Sequence, residues 1–123
     1  MTNHEIVRGL MDGFLFWKLT FDRCSFHKVG EVVKAIGEYN EFEPEQVSAL
    51  LHTITIYPSN VASQIIMVTV GREYSPVVYV EVKQELAEAL MKIFRDLKNP
   101  PQELSIEKDE SSSEYAKVRA WWD

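Results

Sequence analysis

From Lys83 to Lys98 the apolar side chains Leu86, Leu90, Ile93, Phe94 and Leu97 recur every three or four residues and form one stripe. Glu88 precedes Lys92 by four residues, the favourable order for an ion pair along a helix. The spacing predicts a helix over about 83–98, ended by Asn99-Pro100-Pro101. The pattern differs at Gln64–Val70 and Val77–Val82, where β-branched residues dominate and two strands are expected. Gly71–Pro76 has the length and residues of a hairpin connection between them. The unbroken run Ile65-Ile66-Met67-Val68 marks a strand that is central or covered on both faces.

Towards the C-terminal end the chain alternates again. Ala116, Val118, Ala120 and Trp122 fall on one side, and Tyr115, Lys117, Arg119 and Trp121 on the other. The alternation places Trp122 against the helices and leaves Trp121 on the opposite face. Leu104–Glu107 completes a closing hairpin, with the polar stretch 107–114 as its loop.

The first half is mainly helical by the same test. Ile6, Val7, Leu10, Met11, Phe14, Trp17 and Phe21 keep helical spacing behind Thr2 or Asn3 as N-cap. A competing reading ends this helix near Gly13 and makes Phe14–Phe21 a strand, with Leu15, Trp17, Leu19 and Phe21 on one face. The aromatic content favours the strand; the unbroken spacing favours the helix, which is the expectation carried forward. A second helix is predicted from about Phe26 to Tyr39, and a third from Glu43-Pro44 with Val47, Leu50 and Leu51 as its apolar face and Ile54 as a candidate to extend it. Thr53–Tyr57 alternates and reads as a strand. Together these elements predict one α+β domain over 1–123. Its sheet has about five mostly antiparallel strands, and its helices pack on one face. Only the crossover between 77 and 107 allows a parallel pair.

Length and composition agree with a folded domain that needs no disulfide or metal to hold its core. With one cysteine, Cys24, no internal disulfide exists. No signal-peptide pattern is expected at the N-terminus, and the apolar run Phe14–Trp17 is too short to span a bilayer, so a cytoplasmic location is expected. The net charge of −6 disfavours nucleic acid and anionic membrane surfaces as partners.

Candidate chemistry is sparse. Cys24 and His27, with Asp22 nearby, have the residue types of a nucleophile, a base and an orienting acid, but closeness in sequence does not supply the contact in space that catalysis needs. The histidines His4, His27 and His52 are dispersed and lack the paired spacing of a zinc site. No phosphate-binding glycine loop or nucleophile elbow is found. No cofactor, metal or catalytic residue is therefore assigned. Two acidic segments with aromatic neighbours remain. One carries Tyr39, Glu41, Phe42 and Glu43; the other carries Glu107, Asp109 and Glu110 and is followed by Tyr115 and Trp121. An acidic rim around aromatic anchors suits capture of a basic protein. The leading expectation is a non-catalytic protein-binding module, such as a small acidic inhibitor or immunity-type protein. The alternatives are an assembly subunit of a homo-oligomer or larger particle that pairs through the C-terminal strand, and a small enzyme or ligand binder built on Cys24 and His27.

Overall fold

Thr2 opens the first helix by accepting a hydrogen bond from the Glu5 backbone N–H. In the computed structural model, which describes residues 2–55, 64–108 and 114–123, helix α1 spans Asn3–Gly13. It is followed not by more helix but by strand β1, Phe16–Phe21, so the competing reading of this segment is the right one. The helical spacing of Phe14, Trp17 and Phe21 was coincidental. What decides the segment is pairing with β2, which an isolated spacing test does not see.

A 3₁₀ turn, Arg23–Lys28, then leads into α2, Val29–Ile36. The turn is closed by Asp22, whose carboxylate accepts from the Cys24 N–H and the Ser25 hydroxyl. The predicted second helix is therefore shorter and begins as a tighter coil. Gly37, at φ 79°, stops α2, and Arg8 of α1 donates to the terminal Ile36 carbonyl at 2.7 Å. Helix α3, Pro44–Thr55, runs past the point where a strand was expected. Thr53 and Thr55 donate their hydroxyls to the carbonyls of Ala49 and Leu51, and Ile54 extends the buried stripe, so the last turn is satisfied as helix. Ile56 and Tyr57 lie outside the described residues.

The long strands follow. β2, Ile65–Glu73, and β3, Ser75–Lys83, are longer than expected, because the connection is Tyr74 alone. Gly71 belongs inside β2. A side chain there would collide with the Trp17 carbonyl, so its glycine serves the close approach of β1. The predicted helix over 83–98 is a short 3₁₀ turn, Gln84–Leu86, and then α4, Ala87–Arg95. β4, Glu103–Lys108, and β5, Tyr115–Trp121, pair as the closing hairpin.

The strand order is β1-β2-β3-β5-β4, and every pairing is antiparallel. The crossover through α4 skips one position, and β5 returns to fill it, so no parallel pair forms. β5 is thus interior, which removes the C-terminal strand as a pairing edge; among the described residues the sheet's edges are β1 and β4. Register aligns the inner face in rows, Leu19–Val70–Val78–Ala120–Leu104 and Phe21–Val68–Val80–Val118–Ile106. These rows meet the helices in one core. Trp122 is fully buried there, with the rings of Phe42 and Phe94 at 5.3 and 6.2 Å and its indole N–H on the Asn99 carbonyl. Among the described residues no helix is long and apolar enough to cross a membrane.

Candidate functional site

The opposite face of the sheet is polar and partly open. One row runs Thr20–Thr69–Tyr79–Arg119–Ser105 and another Lys18–Gly71–Val77–Trp121–Glu103. Glu73, at the end of β2, gathers this face. Its carboxylate accepts from the Tyr79 hydroxyl at 2.7 Å, pairs with Lys18 at 3.0 Å and takes two contacts from Arg119 at 2.8 and 3.0 Å. Arg119 extends to Glu103 at 2.9 Å, and the Trp121 indole donates to the Glu73 carbonyl at 2.8 Å. Burial alone would push the Glu73 carboxyl up, but the donors from Tyr79, Lys18 and Arg119 outweigh it and hold it below the ordinary range. The hydrogen bond to Glu73 raises Lys18, and burial raises Tyr79. A carboxylate whose two oxygens are so filled is not free to act as a base or a metal ligand. Its work is structural, holding β1, β2, β3 and β5 together at one end.

Beside that end the chain builds an apolar corner. Arg72 organises it. Its guanidinium donates to the carbonyls of Met11, Phe14 and Tyr74 and lies over the Tyr39 ring at 5.5 Å. This ties the α1–β1 link to the β2–β3 turn. Phe14, Leu15 and Phe16 are each more than half exposed, and Tyr74 is 61 % exposed. The Phe16 and Tyr74 rings meet edge-on at 4.6 Å. Tyr74 sits at φ 64°, a conformation glycine adopts freely and a bulky residue does not. It is held there by its N–H to the Leu15 carbonyl at 2.9 Å and by Arg72 on its own carbonyl at 2.8 Å.

A third feature is a groove of about 850 Å³ between α2 and α3, which gathers all three histidines, His4, His27 and His52, with Glu31 and Glu45. Among the described residues no three His, Cys, Asp or Glu side chains converge on a point that a metal ion would occupy. Cys24 is exposed with a free thiol, and the Asp22 carboxylate beside it is engaged in capping the turn.

The residues expected to bind a partner are scattered. Phe42 is 1 % exposed against Trp122, a core position closed to any partner in this fold. Tyr39 is half-buried under Arg72, and Glu43 accepts from the Glu45 N–H at the start of α3. Glu41 donates its backbone N–H to Asp123 near the chain end. Glu107 lies on the far edge, in register with Lys117. Tyr115 and Trp121 share the open face, Trp121 near the corner; Asp109 and Glu110 lie outside the described residues. Phe14, Leu15, Phe16, Arg72 and Tyr74 were not singled out from sequence as a site. Their one sequence signal was a run of apolar residues next to Gly13, and Tyr74 joins them only through the fold. Compared with family models, curated proteins and solved structures, the chain finds no match.

Proposed function

We propose that this chain is a non-catalytic protein-binding module that docks through the corner formed by Phe14, Leu15, Phe16 and Tyr74. The observation that carries the reading is Tyr74. A glycine would relieve its backbone, yet the position holds a large ring turned to solvent and braced by Phe16. Local strain kept together with exposed aromatic area is what a contact residue looks like. Exposed apolar groups clustered at one point, and not scattered singly, are the usual mark of a docking surface. The net charge of −6 adds long-range attraction for a basic protein, as in a small acidic inhibitor or immunity-type protein, and disfavours nucleic acid or an anionic membrane. The free, exposed Cys24 thiol fits a reducing compartment such as the cytoplasm.

The test is affinity capture from native lysate with the wild-type chain, Tyr74→Gly and Phe16→Ser, each at low and high salt. A specific partner should be held by the wild type, lost by both variants, and weakened by salt. Capture unchanged in both variants would refute the corner as the docking site. Salt-independent capture, unaffected by neutralising Glu107, Asp109 and Glu110, would remove the basic-partner reading.

A further inference from the structure

The two sheet edges are built differently. β4 is guarded by Glu107 and Lys108, exposed charged side chains that blunt an edge against further pairing, while Glu103 is held on Arg119. β1, Phe16-Trp17-Lys18-Leu19-Thr20-Phe21, has no such guard. Its one charge, Lys18, is drawn onto Glu73 at 3.0 Å and over the Tyr79 ring at 4.9 Å.

The backbone of β1 is available as well. The Tyr74 N–H donates to the Leu15 carbonyl, which makes Leu15 and Tyr74 a hydrogen-bonded pair in the antiparallel ladder. Strict alternation then turns the N–H and C=O groups of Phe16, Lys18 and Thr20 away from β2. Among the described residues β1 pairs only with β2, and no hydrogen bond from a turn, loop or cap ends on those groups.

We infer that β1 pairs antiparallel with β1 of a second copy, joining two five-stranded sheets across a two-fold axis. The occupant follows from the edge itself. An antiparallel edge presents the same donors and acceptors to its own copy, so a two-fold axis satisfies both at once. One such register keeps like charges from standing directly opposite each other and sets apolar residues against apolar ones. Centred on Leu19, it sets Leu19 opposite Leu19, Trp17 opposite Phe21 and Lys18 opposite Thr20 of the second copy. The alternative centred on Lys18 would place two ammonium groups face to face. The favoured register also sets Asp22 of the second copy diagonal to Lys18 on the same face of the sheet. Arg23, next to Asp22, is directed back onto the Ile65 carbonyl at 3.1 Å. Because β4 is guarded, the pairing closes at two copies and does not propagate.

This inference goes beyond the docking corner, and the two fail separately. Phe16 belongs to both surfaces, but Phe14 and Tyr74 lie past the end of the paired strands, so a change at Tyr74 tests the corner alone. The test is sedimentation equilibrium of the full chain over a concentration series, with Thr20→Pro, Thr20→Lys and Thr20→Glu. Thr20 is exposed and its N–H faces outward, so Pro there spares the β1–β2 ladder. The expected result is a concentration-dependent dimer that Thr20→Pro abolishes. Thr20→Lys, placed opposite Lys18, should weaken it by about ten-fold, since the two-fold axis repeats each pair, and Thr20→Glu should not weaken it. Circular dichroism on each variant confirms that the fold is kept. A wild type that stays monomeric throughout, or a dimer indifferent to Thr20→Pro, overturns the inference. So does a monomer that instead captures a different protein through β1. Tyr74→Gly should leave the dimer intact while abolishing partner capture, so loss of one property does not imply loss of the other.

Discussion

Replacing Trp122 and Trp17 separately by Phe should cost very different amounts of stability. Both indoles are buried, Trp122 fully and Trp17 at 9 % exposure. Trimming either to a phenyl ring removes the same atoms from the core, a shared loss of roughly 1–2 kcal/mol. The polar outcomes are opposite. Trp122 donates its N–H to the Asn99 carbonyl at 3.0 Å, so Trp122→Phe also forfeits a hydrogen bond worth about 1 kcal/mol. Among the described residues the buried Trp17 N–H has no hydrogen-bond partner, so Trp17→Phe removes an unsatisfied donor and recovers about 1–3 kcal/mol of desolvation cost. The net expectation is a loss of about 2–3 kcal/mol for Trp122→Phe and close to none for Trp17→Phe, a gap of about 2–4 kcal/mol. Urea unfolding followed by far-UV circular dichroism measures it, because fluorescence would mix signals from three tryptophans. The m-value should not change, so the gap is read from the midpoints. Equal costs, or a larger cost at Trp17, would show that the Trp17 indole finds a partner in solution, and the reasoning would fail.

Further outcomes follow from the contacts of the sheet and its corner. Glu73→Gln leaves Arg119, 18 % exposed, with Glu103 as its remaining counter-charge and takes Lys18's partner away, and should cost about 1–2 kcal/mol at neutral pH. Because the folded Glu73 carboxyl is held below its ordinary 4.5, the unfolded chain binds the proton more readily. The wild type should therefore lose stability as pH falls below about 4.5, and urea midpoints across that range should show a shallower loss in Glu73→Gln. Tyr74→Gly trades relieved φ strain against a lost edge contact with Phe16 and a more flexible unfolded chain, so stability by thermal melt should stay within about 1 kcal/mol. Arg72→Met should loosen the α1–β1 link, seen as faster amide exchange at Phe14–Phe16 and Tyr74 with little change in the α4–β5 core. Gly71→Ala should cost about 2 kcal/mol or more by urea midpoint, because the obstacle is backbone at Trp17 and cannot swing aside.

What the sequence made legible is local, and what it hid is pairing. Alternation alone placed Ala116, Val118, Ala120 and Trp122 on the buried face, because a strand's period is independent of its neighbours. The stripe of Leu90 and Phe94 likewise marked the inner side of α4. The errors occurred where two periods fit the same residues. Phe14–Phe21 satisfied helical spacing and strand composition together, and only β2 arbitrates between them. Thr53–Thr55 looked like a strand because its β-branched residues alternate, but the hydroxyls of both threonines are satisfied along α3. Phe42 beside acids looked like an anchor, although the Trp122 ring claims it for the core. Glu73, Tyr79 and Arg119 belong to three strands, and no spacing rule joins them.

The strand order also changes what the two C-terminal tryptophans mean. As an interior strand, β5 cannot offer its backbone to another chain, and Trp121 spends its N–H on the Glu73 carbonyl. Among the described residues, an edge without exposed charged guards lies at the other end of the sequence, where β1 and the Tyr74 turn are brought together by Arg72. The chain protects β4 with charge and stiffens the open face with a saturated carboxylate, yet leaves apolar side chains on β1 and an aromatic ring on a strained turn. A glycine at Tyr74 would relieve its backbone, and more charges along β1 would protect that edge. Their absence from both positions is what supports the proposed docking at this edge and corner.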